Sequence, residues 1–383
     1  MLGKNLAIYV HWPYCISKCP YCDFNSHVGD TQDQEKWRRA YKRELEHSAS
    51  LMPGRRITSI FFGGGTPSLM EARTVESILQ NIARLWPLDE NIEITLEANP
   101  SSAEADKFAD FRKAGVNRLS LGVQSLNEQA LKFLGRAHDG DEARRAIDLA
   151  RRHFPRFSFD LIYALQGQTP VIWQQELREA LSLAGDHLSL YQLTIEPHTG
   201  FHTRTRRGEV LTAPDDHAVP MFEITQEIMD QAGLPAYEIS NHAKAGQESR
   251  HNLTYWHYED YLGIGPGAHG RHHDGTTRRA TENHKAPDIW LQQVETQNHG
   301  VKTNDGIDQE TAMREALMMG LRLSEGIDLV AWDKKFPTKL PEFLPQDRLA
   351  RLKQENLIVE NEKTLRATSA GLQRLNAVLN YLV

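Results

Sequence analysis

No run of apolar residues in this 383-residue chain approaches the roughly 18 that a membrane span requires. A surplus of basic charge is missing too. Lys and Arg number 44 against 51 Asp and Glu, a net charge of -7. Such a chain lacks the positive field that gathers phosphate backbones, so nucleic acid is not an expected partner. An N-terminal leader is not apparent either, because the apolar stretch Leu6 to Val10 runs directly into His11, Pro13 and a cysteine cluster. The expectation is a cytoplasmic enzyme or carrier without an integral membrane segment. Cysteine itself is scarce, with three residues in the whole chain. An odd count of this size does not make a disulfide framework.

What is present is concentrated. All three thiols fall within eight residues, as Cys15, Cys19 and Cys22. They follow the first strand-like run, where a loop lets three thiolates face one centre. Structural zinc takes four protein ligands, and Asp23, His11 or His27 would have to complete the set. A [4Fe-4S] cluster takes one thiolate per iron, so three thiolates leave one iron open to an outside ligand. The spacing favours the open-iron cluster, with zinc and three merely structural thiols as the alternatives.

Organisation along the chain predicts an α/β fold. Short β-rich runs at Leu6–Val10, Ser59–Phe62, Ile92–Leu96, Arg118–Val123, Phe157–Tyr163 and His187–Leu193 alternate with amphipathic patterns. The patterns lie near Glu35–Met52, Met70–Trp86, Ala103–Ala114, Asp141–His153 and Pro170–Ala184. Alternation of this kind means parallel strands joined by crossover helices. Six units are too few for a closed eightfold barrel and too many for a small open sheet, which points to a partial (β/α)6 barrel. In such folds ligands sit at the carboxyl ends of the strands. The barrel core is assigned to residues 1–200. An extension, 201–305, includes a stretch from 242 to 284 with seven of the 17 histidines. Residues 306–383 read as helices flanking a hairpin at Leu357–Thr368, a winged-helix-like α+β domain. Its charges cancel, so it is not read as a DNA-binding module. A zinc-stabilised nucleic-acid module is the reading from a different class, and the neutral C-terminal region argues against it.

The cysteine spacing C-x3-C-x2-C, followed after the second strand by Gly63-Gly64-Gly65-Thr66-Pro67, resembles the signature of the radical S-adenosylmethionine (SAM) family. The segments HWPYCISKCPYCDFNSH, FFGGGTPS, LEANP, RLSLGVQS, FDLIYALQGQT, YQLTIEP, HNLTYW and GIGPGAHG are similar, in order, to its oxygen-independent coproporphyrinogen III oxidase branch. They are closest to the HemW-type heme chaperones of that branch. The resemblance implies a [4Fe-4S] cluster held by Cys15, Cys19 and Cys22, with SAM on the open iron and its reductive cleavage to a 5'-deoxyadenosyl radical as the family chemistry. It also implies SAM contacts from Tyr9, Tyr21, Gly64, Gly65, Thr66, Glu97, Gln124, Arg136 and Asp160. Arg136 would meet the SAM carboxylate, and Glu97 or Asp160 the ribose hydroxyls or amino group.

Family oxidases carry a fourth cysteine two residues after the third, where this chain has Phe24. HemW-type proteins have phenylalanine there, which makes oxidase activity the alternative and not the first expectation. His251-Asn252-Leu253-Thr254-Tyr255-Trp256 matches the H-N-x-x-Y-W segment associated with heme, implying His251 as an iron ligand. The partners implied are heme and heme-requiring acceptors such as respiratory enzymes. Gly265-Pro266-Gly267-Ala268-His269-Gly270 satisfies G-x-G-x-x-G, but the polar, turn-rich sequence after it opens no helix, so it is not a dinucleotide site. Close backbone approach to a cofactor and a tight turn remain equally good readings of it.

Overall fold

A computed structural model describes residues 4–29 and 32–383. Each of the six sequence runs forms a parallel strand: β1 (Asn5–Trp12), β2 (Arg56–Gly64), β3 (Leu88–Ala98), β4 (Arg118–Gln124), β5 (Arg156–Tyr163) and β6 (His187–Gln192). They pair in chain order. Five helices cross between them: α1 (Gln34–Leu51), α2 (Ala72–Leu85), α3 (Phe108–Ala114), α4 (Gly140–His153) and α5 (Pro170–Leu183). Local chemistry sets the helix ends. Asp33 accepts from Glu35 N and Lys36 N to cap α1, Asp139 and Glu142 form a reciprocal capping box on α4, and Thr169 precedes Pro170 at the start of α5.

The strands have two unlike faces. Ile8, Val10, Ile60, Phe62, Leu96, Leu119, Leu121, Phe159 and Leu190 are buried in one continuous core with Trp37, Ile78, Ile147 and Leu177 of the helices. The alternate positions carry the strands' polar residues. Ser59 lies opposite Glu93, Glu97 opposite Ser120, Ser120 opposite Ser158, and Asp160 opposite Ser189. Because side chains alternate with period two, this register lines the inner face of the curved sheet with hydrogen-bonding groups and leaves the outer face to the helices.

The sheet is wider than six strands. Among the described residues it has eleven, in a linear order without a closing pair, so the barrel is open. β7 (Asn241–Ala243) adds antiparallel to β6. On the other side, β8 (Tyr261–Ile264) pairs parallel with β1, and an antiparallel meander of β9 (His269–His273), β10 (Arg278–Asn283) and β11 (Val301–Ile307) follows. The histidine-rich stretch is therefore part of the same sheet. Its imidazoles are spread over separate elements and do not form one cluster.

A second core gathers Leu317, Leu321, Trp332, Leu349, Ile358, Leu365 and Val378 of the C-terminal segment. It carries a three-stranded sheet of Ile327–Asp328, Thr364–Ala367 and Ile358–Glu360. The expected hairpin and flanking helices are present.

Candidate functional site

At the carboxyl ends of the strands the chain encloses a pocket with about 1070 Å³ of empty space, its open mouth included. Cys15, Cys19 and Cys22 line it, each partly exposed. Burial pushes the Cys15 and Cys22 thiols up from their ordinary values, and the Thr66 hydroxyl pulls Cys15 back in part. Among the described residues, no three His, Cys, Asp or Glu side chains are gathered to hold a single metal ion. The ring of His11, one candidate fourth ligand for zinc, is already committed. Its Nδ1 pairs with Tyr9 Oη at 3.1 Å and its Nε2 with the Asn25 carbonyl at 2.9 Å.

The glycine segment owes its composition to the close packing of this loop. A Cβ on Gly64, at φ +113°, would fall 2.5 Å from the His11 ring, and one on Gly65 would fall 2.5 Å from the Tyr14 carbonyl. Gly65 N donates to Trp12 O at 2.7 Å and Thr66 N to Tyr14 O at 2.8 Å, so the end of β2 carries the start of the cysteine loop. Thr66 Oγ1 then reaches Cys15 Sγ at 3.4 Å.

Arg136 follows the short helix Glu128–Phe133, capped by Asn127, and the left-handed turn at Gly135. Its Nη1 lies 3.3 Å from Cys19 Sγ and 3.4 Å from Tyr21 Oη; its Nη2 donates to Asn99 Oδ1 at 2.6 Å and Gly122 O at 2.7 Å. Nε is buried without a partner. Asn99, in the LEANP segment just after β3, is a pocket residue to which the sequence reading gave no role of its own. Its Nδ2 donates to Thr66 Oγ1 at 3.1 Å, and the buried Glu104 carboxylate accepts from its backbone N at 2.8 Å. Gln124 ends β4 with φ +71°, a left-handed conformation rare for a residue with a Cβ and common where a site dictates the backbone.

Glu97 and Asp160 line the floor. Burial, reinforced by Asp160, pushes Glu97 up to about 8; burial pushes Asp160 up to about 6. At neutral pH the fold thus prefers a proton on Glu97. A carboxyl raised in the fold stabilises it below the ordinary carboxylate pKa and loses that contribution as pH rises through the folded value. The thermal stability of the cofactor-free protein is expected to fall between about pH 4.5 and 8, and Glu97→Gln to flatten that slope in melts followed by circular dichroism.

Cys15, Cys19, Cys22, Tyr21, Gly65, Thr66, Glu97, Gln124, Arg136 and Asp160 all meet at this pocket. Tyr9 and Gly64 stand beside its wall. His251 is elsewhere. It lies on α6 (Arg250–Trp256), which inserts at the opposite end of the strands, where His251 N donates to Glu93 Oε1 at 3.2 Å. The ring is 1% exposed and stacks on Phe61. Its Nδ1 is 2.9 Å from Ser59 Oγ and its Nε2 2.7 Å from Tyr255 Oη. Burial drives its pKa down to about 3, so the imidazole is neutral. The Gly265–Gly270 segment follows β8, and its close approach is to protein: Cβ atoms on Gly265 and Gly267 would each lie 2.4 Å from His11 O and Asn25 Nδ2 respectively.

An open parallel barrel thus brings three thiols after its first strand to face a polar floor in one pocket, the arrangement of a protein with its site at the strand ends. Residues 9–180 match the Radical SAM superfamily and residues 307–374 the HemN C-terminal domain. The chain is 43% identical over 283 residues to the heme chaperone HemW of Escherichia coli, covering 72% of this chain and 73% of that one. It is 36% identical over 383 residues to HemW of Haemophilus influenzae, covering 98% and 97%. With the mitochondrial radical S-adenosyl methionine domain-containing protein 1 of Bos taurus it shares 39% identity, covering 98% and 87%. The solved coproporphyrinogen III oxidase HemN of Escherichia coli superposes with a TM-score of 0.82 at 22% identity, covering 99% and 90%, a likeness of fold. The chain belongs to the radical SAM superfamily, in the HemN-like branch close to HemW.

That family implies a [4Fe-4S] cluster and SAM, and the pocket fits both. Three half-buried thiols face one space, the orphaned Nε of Arg136 is a buried donor for an anionic group, and the floor offers carboxyl acceptors.

Proposed function

We propose that this protein is a heme chaperone that binds heme and passes it to heme-requiring acceptor proteins in the cytoplasm. Cys15, Cys19 and Cys22 would hold the cluster, with one iron left open to SAM. Arg136, whose Nε is buried without a partner, would meet the SAM carboxylate, while Tyr21, Gly65, Thr66, Gln124, Glu97 and Asp160 would enclose the rest, with Tyr9 and Gly64 supporting that wall. When bound, cluster and SAM would supply one-electron chemistry. The protein's own part is to exclude water, orient the sulfonium and keep a proton on Glu97.

The observation that carries the chaperone reading is Phe24. It lines the mouth of the pocket, 57% exposed, where the resemblance puts the oxidases' fourth cysteine, in a chain whose HemW relatives align over most of its length. Among the described residues no helix is long and apolar enough to cross a membrane. His251, the family's heme-associated residue, would ligate iron only after giving up its bond to Ser59 or Tyr255.

The test uses the full chain with its cluster reconstituted anaerobically. Hemin should bind stoichiometrically and transfer to an apo-heme acceptor, while coproporphyrinogen III supplied with SAM and reductant is left unconverted. Steady formation of protoporphyrinogen IX would make the protein an oxidase and overturn the reading.

A further inference from the structure

One side chain orders the hydrogen-bond donors on the cysteine side of the pocket. Asn99 follows β3 and meets three elements at once: Arg136, the glycine segment after β2, and the short helix Ser102–Ala105. Its amide can sit only one way round. An arginine has no acceptor, so Asn99 Oδ1 must face Arg136 Nη2, from which it accepts at 2.6 Å. The amide nitrogen then points to Thr66 Oγ1 at 3.1 Å and donates to it. A hydroxyl that accepts there has its single proton left for the other side, where Cys15 Sγ lies at 3.4 Å.

A second arm runs through the guanidinium. With Nη2 held by Asn99 Oδ1 and Gly122 O, Nη1 is turned to Cys19 Sγ at 3.3 Å, and Nε is left unpartnered among the described residues. One amide thus directs an O–H toward one thiol and an N–H toward another.

What holds the amide is Glu104, which is 3% exposed and lies on the short helix. Its Oε2 accepts from Asn99 N at 2.8 Å and from Ser68 Oγ, and its Oε1 faces Asn99 Nδ2 at 3.4 Å. Ser68 is fully buried in the turn Pro67–Leu69, two residues after Thr66. The carboxylate therefore clamps both ends of the Asn99–Thr66 bridge. Donors aimed at the sulfurs of an iron-sulfur cluster stabilise its reduced, more negative state and so raise its potential.

Resting on the cluster and SAM placement given above, we propose that Asn99 is a positioning residue of this site. It aims the donors of Thr66 and Arg136 at the Cys15 and Cys19 sulfurs, raising the potential at which a bound cluster takes up an electron, and it holds Arg136 Nε ready for the SAM carboxylate. Asn99 acts through Thr66 and Arg136, and Glu104 acts through Asn99.

The test compares wild type and Asn99→Ala as full-length proteins with the cluster reconstituted anaerobically. A redox titration without SAM, followed by electron paramagnetic resonance, should give a more negative midpoint potential in the variant. Calorimetry should show SAM affinity lower by about tenfold, with iron and sulfide content unchanged. A merely structural role would lower the melting temperature and the iron content and leave the potential of the remaining clusters unmoved. In a Thr66→Val background, loss of Asn99 should lower the potential by less than it does in wild type, because one of its two arms is already gone. Glu104→Gln leaves Asn99 in place and should shift potential and affinity in the same direction by smaller amounts, which keeps the test open where Asn99→Ala loads its cluster poorly. Wild-type potential and SAM affinity in both variants at full iron content would overturn the inference. Failure of the wild-type protein to take up a cluster or SAM would instead remove the site reading on which it rests.

Discussion

Cys19→Ser is expected to reduce cluster iron and acid-labile sulfide to background after anaerobic reconstitution, while the cofactor-free protein melts within a few degrees of wild type. The second half of that expectation follows from the surroundings of the side chain. Cys19 is partly exposed in a loop, and its neighbour Arg136 Nη1, 3.3 Å from the sulfur, can donate to a hydroxyl as readily. A substitution of this kind creates no cavity and strands no buried donor, so its cost is about 0.5 kcal/mol or less. The first half follows from coordination chemistry. An iron-sulfur cluster selects soft thiolates, and a serine hydroxyl stays protonated at neutral pH. With only three thiols in the chain, no spare cysteine can substitute. SAM binding, followed by calorimetry, should fall with the iron. Undiminished iron in this variant, read by metal analysis, would show that Cys19 is not a ligand.

The pocket was legible in the sequence to the extent that its residues follow strand ends. Thr66, Glu97, Gln124 and the cysteines each stand at or near the end of a period-two run, and the α/β rule that ligands gather there placed them together before any coordinates. Arg136 was reached only through family resemblance, since it lies beyond a short helix and a glycine turn that no periodicity singles out. Asn99 stands in the LEANP segment that both the strand-end rule and the resemblance mark, but neither gives it a role, and only the structure shows it bridging Arg136 to Thr66.

The non-local pairings were not legible at all. β8, Tyr261-Leu262-Gly263-Ile264, is four residues long and contains a glycine, too little for a pattern. Yet it pairs with β1 across some 250 residues and sets the register of the sheet on that side. Its close fit explains the glycine within it. A Cβ on Gly263 would lie 2.2 Å from His269 O. The same holds for His251: apart from the resemblance, a histidine in a histidine-rich stretch reads as a satisfied or a surface residue alike, and its burial against Ser59 and Phe61 is purely tertiary.

Glu44→Leu is expected to be the most damaging single substitution in the barrel, although the residue is far from any motif. Glu44 lies on the inner face of α1 beside Tyr41, 1% exposed. Its Oε2 accepts from Gly265 N at 2.8 Å; its Oε1 accepts from Gly300 N at 2.8 Å, Trp290 Nε1 at 3.0 Å and Asn283 Nδ2 at 3.1 Å. One carboxylate thus ties the first helix to the turn after β8, the end of β10 and the helix Pro287–Gln297. Leucine of similar volume would leave these donors facing a methyl group in a water-free interior. Each buried donor left unpaired costs about 1–3 kcal/mol, so the sum is at least about 4 kcal/mol, a large part of a typical domain's total stability. A melting temperature lower by about 5 °C or more is the expected reading for a chain of this size. Glu44→Gln, which keeps an acceptor oxygen but turns an amide N–H₂ toward the other donors, should fall between. The loss should also reach the site. Gly265 packs on the His11 carbonyl, and Asn25 of the cysteine loop donates to Pro266 O at 3.1 Å and Lys285 O at 3.0 Å, so the turn that Glu44 holds is the backing of that loop. Cluster retention in Glu44→Gln should therefore drop faster with temperature than its secondary structure does, a separation that iron release and circular dichroism measured on one sample would show. Coincident curves would mean that the turn after β8 and the cysteine loop are not mechanically linked.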